Sequence, residues 1–102
     1  MGKKLGICVT TKNAMTHVVG VAEAAKEMGI DVDVFLSGEG VHLTQDPRFP
    51  RLLAAGRVGV CEVSYLASGY KKVHLPALRD KDFVTQLRNA EMVGTCDRYL
   101  VF

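Results

Sequence analysis

The chain has no tryptophan, and only 7% of its 102 residues are aromatic. Stacking of bases on exposed rings is therefore a poor basis for its function. An excess of charge is lacking as well. Thirteen Lys and Arg against eleven Asp and Glu leave a formal +2, far from the strongly basic footprint of a nucleic-acid binder. No direct nucleic-acid partner is expected. Long apolar runs are missing too: nothing approaches the roughly 18 uncharged residues of a membrane span. The apolar stretch Leu5–Val9 behind Lys3 and Lys4 falls short of a signal-peptide core of about 7–15 residues. These absences predict a cytoplasmic protein with no membrane partner.

Cysteine is scarce and unpatterned. Cys8, Cys61 and Cys96 are an odd number, widely spaced and without C-x-x-C, which argues against a disulfide framework, a thioredoxin motif and a structural zinc site. His17, His42 and His74 show no metal-ligand spacing, so no metal is expected. A cysteine phosphatase loop needs Arg six residues after its nucleophile, and Ala67 stands there after Cys61. Gly38-x-Gly40 continues to Leu43 where a dinucleotide fingerprint needs Gly, and no phosphate-binding G-x-x-x-x-G-K-[ST] occurs. No organic cofactor is expected either.

What remains is an ordinary globular composition, with 48% hydrophobic residues, at a length that fits one domain over residues 1–102. Leu5–Val9 is continuously small or apolar, as in a strand covered on both faces. Met15, Val18, Val19, Ala22, Ala25 and Met28 recur at helical spacing, with Asn13 or Thr16 available as cap and Gly29 as stop. Ile30–Leu36 alternates as a second strand. Pro50 opens a short helix through Leu52–Ala54 that Gly56 closes. Val58–Val60 forms a third strand, Glu62–Ser68 a helix, and Tyr70–Leu75 a brief strand or loop. Asp80 or Asp82 caps a last helix carrying Phe83, Leu87 and Ala90, and Arg98–Phe102 is the final strand. Strands alternating with helices predict a three-layer α/β domain, with a mainly parallel sheet of about five strands and helices on both faces.

Ligands of open parallel sheets gather beyond the carboxyl ends of the strands, and that rule sorts the thiols. Cys8 lies inside a strand and reads as a small core residue. Cys96 precedes the last strand, away from the βα loops. Cys61 sits where the third strand hands over to a helix, so free amide N–H groups can favour its thiolate. The neighbouring Glu62 carboxylate opposes this if it points the same way. His17 lies near the first loop, and His42 just beyond the second.

The stretch Val58-Gly59-Val60-Cys61-Glu62-Val63-Ser64-Tyr65-Leu66-Ala67-Ser68-Gly69 resembles the signature of the DsrE/DsrF-like sulfur-relay family in Cys61, Ser64 and Gly69. The closing Thr95–Phe102, with its Asp97-Arg98 pair and terminal Phe102, is similar to that family's last strand. The opening strand, Thr-rich turn and helix fit as well, so the resemblance spans nearly the whole chain. It implies a compact α/β fold assembled as a homo-oligomer, a trimer or hexamer. It further implies a cysteine that carries sulfur as a persulfide between donor and acceptor proteins. On that basis Cys61 is the candidate catalytic residue. Thr10, Thr11 and Asn13 of the first loop, with His17 and Ser64, are candidate binding residues. Ser68 and Glu62 stand where many members have a basic residue and a small or apolar one. Both make the surroundings less positive and favour the alternative of a non-catalytic partner subunit or adaptor. A flavodoxin-like nucleotide- or flavin-binding domain is a third reading, resting on fold analogy alone.

Overall fold

A computed structural model describes residues 2–102, with the backbone alone for His74. The elements run β1 (Lys4–Val9), α1 (Met15–Glu27), β2 (Asp31–Leu36), a 3-10 segment (Gly38–Gln45), α2 (Phe49–Ala55), β3 (Arg57–Cys61) and α3 (Glu62–Ala67). Two further 3-10 turns (Lys72–His74, Asp80–Asp82) lead to β4 (Phe83–Val84), α4 (Gln86–Thr95) and β5 (Arg98–Val101). The five strands form one all-parallel sheet in the order β4-β3-β2-β1-β5. The three-layer α/β architecture expected from the alternation of elements is present.

Topology dictates which helix covers which face. From β1 to β4 the chain steps across the sheet in one direction, so right-handed crossovers keep α1, α2 and α3 on one side. The step from β4 back to β5 reverses direction and places α4 on the other side. Side-chain alternation follows the same division. Ile7, Val9, Val32, Val34, Leu36, Val58 and Val60 pack with the α1 stripe, with Phe49 and Leu52 of α2, and with Tyr65 of α3 in the larger core. Cys8, Phe35 and Cys61 pack with Met92 of α4 in the smaller one. The interior strands β1, β2 and β3 thus carry apolar runs because both of their faces are covered, whereas the edge strand β5 is largely exposed.

Several local expectations are corrected. Neither Asn13 nor Thr16 caps α1: Ala14 occupies the N-cap without a side-chain bond, and the Thr16 hydroxyl accepts from Arg48 Nη1 at 2.8 Å. Of the two readings of Tyr70–Leu75, the loop is the one present, and it contains a 3-10 turn. Phe83 belongs to β4 and not to the last helix. That helix is capped by Thr85, whose hydroxyl accepts from Leu87 N, while Asp80 and Asp82 form their own turn. Gly29, at φ +76°, ends α1 in the left-handed conformation that glycine adopts freely. Gly40 has a different cause: a Cβ there would collide with the Val9 carbonyl, so the 3-10 segment can fold back on the end of β1 only over a glycine. Among the described residues no helix is long and apolar enough to cross a membrane.

Candidate functional site

Cys61 ends β3 and occupies the N-cap position of α3. Strand alternation turns its side chain toward α4, because Gly59 on the same face lies under Val84 and Arg88. Register then brings the next segment to it. Cys61 pairs with Val84 in β4, so Thr85 and Gln86, two residues on, begin α4 beside the thiol. The side-chain amide of Gln86 donates to Ser37 Oγ at 2.8 Å and approaches Cys61 Sγ at 3.8 Å. Ser37 follows directly after β2, and the next amide, Gly38 N, donates to Ser64 Oγ at 3.0 Å. The connections after β2, β3 and β4 are thus hydrogen-bonded together beside Cys61, with Gln86 after β4 approaching the sulfur itself.

Electrostatics there favour the thiolate. Burial pushes the Cys61 thiol up, since the residue is only 4% exposed. The Ser64 hydroxyl, the Ser64 amide, the Gln86 side chain and the Val63 amide act against burial and together hold the thiol below its usual range. The neutral thiol makes no capping bond to α3; the amides of Val63 and Ser64 matter for the ionised form. Glu62 does not oppose it as the sequence suggested, because its carboxylate pairs with Lys72 Nζ at 2.9 Å. Cys96, on the same face of the sheet, moves the other way: burial, and then the nearby Asp33 carboxylate, push its thiol up. Cys8 is a buried member of the smaller core.

Of the residues singled out from sequence, Ser64 adjoins Cys61. The first loop lies apart from it, with β2 in between. Thr10 is turned toward the other edge of the sheet: its amide and hydroxyl both donate to Phe102 O, at 2.7 and 3.1 Å. Thr11, Asn13 and His17 are exposed, and among the described residues none hydrogen-bonds to Cys61. His42 is engaged elsewhere, its Nδ1 lying 2.6 Å from Tyr70 Oη. Gln86 and Ser37 were not anticipated. The signal for Gln86 was Thr85, a cap residue that fixes the start of α4.

Chemically, the arrangement offers a thiol whose ionised form meets preset hydrogen-bond donors, with the exposed Gln86 side chain lying beside it. It assembles no metal-binding group of His, Cys, Asp and Glu among the described residues. No family model, curated protein or solved structure matches the chain.

Proposed function

We propose that the protein is a sulfur carrier of the DsrE/DsrF-like kind, taking sulfur from a donor protein and passing it to an acceptor through Cys61. The observation that supports this most is the convergence of donors from Ser64, Val63 and Gln86 on Cys61 at the carboxyl ends of the strands. The Cys61 thiolate attacks the outer sulfur of a donor persulfide, R–S–SH. A new S–S bond forms, the donor's S–S bond breaks, and the donor leaves as thiolate R–S⁻ with Cys61 as Cys61–S–SH. An acceptor thiolate attacks the same outer sulfur in turn and regenerates the Cys61 thiolate. Both steps are exchanges governed by thiolate fraction, leaving-group pKa and access, and neither needs a cofactor. Gln86 is exposed and lies 3.8 Å from the sulfur, so in this reading its side chain moves as the donor approaches. The same reading carries a cytoplasmic location and assembly as a trimer or hexamer.

The 4% exposure of Cys61 favours a second reading, a non-catalytic partner subunit or adaptor with the same fold. One experiment separates the two. The full chain is incubated with a small-molecule persulfide and its intact mass is measured. The carrier gains one sulfur atom in the parent, in Cys8→Ser and in Cys96→Ser, and none in Cys61→Ser. A parent that gains no sulfur, or a gain that persists in Cys61→Ser, overturns the carrier reading.

A further inference from the structure

Basic side chains gather at the opposite end of β3. A cleft of about 450 Å³ there, within the range of small-molecule sites, is lined by Arg57, Arg79, Lys81, Arg88 and Asp82, with an apolar wall that includes Leu53 and Leu78. Arg57, Arg79 and Lys81 are exposed and form no ion pair among the described residues. Arg88 differs from them. It is only 8% exposed, and its Nη2 is held by Asp33 Oδ1 at 2.5 Å. Its Nε and Nη1 donors have no acceptor among the described residues. A guanidinium with half its fork unused thus lines a cleft that three further cations surround. Counting Asp33 and Asp82 against the four cations leaves two surplus positive charges in a chain whose formal total is +2.

We propose that this cleft binds a phosphoryl dianion, either free or carried on a small aliphatic body. A phosphate monoester carries about −1.5 to −2 at neutral pH, which matches the surplus. Its oxygens suit the planar donors of arginine, which grip oxyanions in pairs. Leu53 and Leu78 would take an aliphatic substituent. The inference is independent of the chemistry assigned to Cys61, which lines no part of this cleft.

Calorimetric titration of the full chain at low ionic strength tests it, with orthophosphate and n-butyl phosphate as probes. One saturable site is expected. Tighter binding of butyl phosphate identifies an ester as the ligand; equal or weaker binding identifies the free ion. Arg57→Ser and Lys81→Ser change exposed residues and leave the fold intact, and each weakens binding by roughly tenfold, the loss of one charge-assisted hydrogen bond. The proposal is overturned if neither probe saturates, or if both variants bind as tightly as the parent.

Discussion

Ser64→Ala is the sharpest perturbation of the Cys61 site. The Ser64 oxygen accepts from Gly38 N at 3.0 Å, which leaves the hydroxyl hydrogen free to be donated to the sulfur. Alanine removes that donor and little volume. A hydrogen bond to a charged group contributes about 1.5–3 kcal/mol. Below the titration midpoint, that much lost stabilisation lowers the thiolate population about ten- to hundredfold. The thiolate that remains is more basic and more nucleophilic, with a Brønsted slope of about 0.4–0.5, which offsets nearly half of the loss on a logarithmic scale. The net expectation is alkylation of Cys61 slowed about three- to tenfold at pH below the thiol's midpoint. The sign with pH is fixed by the lowered thiol: reactivity is present above its midpoint and disappears as pH falls through it. In Ser64→Ala that disappearance begins at higher pH, and at alkaline pH the variant equals or overtakes the parent. The assay is iodoacetamide labelling across pH, read by peptide mass spectrometry so that Cys8 and Cys96 are scored apart. Superimposable profiles would refute the hydrogen-bond account. A slowing by the same factor at every pH would do so too, since it reports altered access and not altered ionisation.

Two further outcomes follow from the same contacts. Gln86→Ala removes both a donor and the side chain lying beside the sulfur, so Cys61 alkylation at alkaline pH, where thiolate is fully formed in both proteins, should rise above the parent; an unchanged alkaline rate means the side chain does not restrict access. Asp33→Leu leaves the Arg88 guanidinium buried and unpaired, at a cost of about 3–5 kcal/mol in urea unfolding, whereas Asp33→Leu with Arg88→Met should recover most of that stability. Additive losses in the double variant would contradict the coupling that the 2.5 Å contact implies.

Elements whose pattern is set by burial could be read from the chain alone. Leu5–Val9 and Ile30–Leu36 lie between two covered faces, and the α1 stripe is buried from Met15 to Ala25, while Met28, expected on the same stripe, falls at the C-cap and is exposed. Elements set by competition between partners could not. Thr16 resembles a cap until Arg48, thirty-two residues away, takes its hydroxyl. Asp82 resembles the cap of a long helix, yet its carboxylate accepts from Arg79 N and closes a separate turn. A two-residue strand such as Phe83–Val84 is too short for any alternation to show, and its pairing with Val60 and Cys61 is wholly non-local. Placing the helix start at Asp80 or Asp82 instead of Thr85 hid Gln86, because the position of that residue beside the thiol depends on β4 existing.

Burial alone gives no account of Cys61. Cys61 and Cys96 face the same side of the sheet and pack in the same small core. A shared environment should push both thiols upward, as happens for Cys96. Cys61 departs because β3 stops at it: the chain turns into α3 and presents the amides of Val63 and Ser64, while the ends of β2 and β4 bring up Ser37 and Gln86. A thiol serving only as a small apolar filler gains nothing from donors aimed at its ionised form, since the neutral group is the one that packs. Under the proposed carrier reading, this donor set serves the ionised stages of the exchange, and the exposed Gln86 amide beside the sulfur is the part placed to move as a donor sulfur approaches.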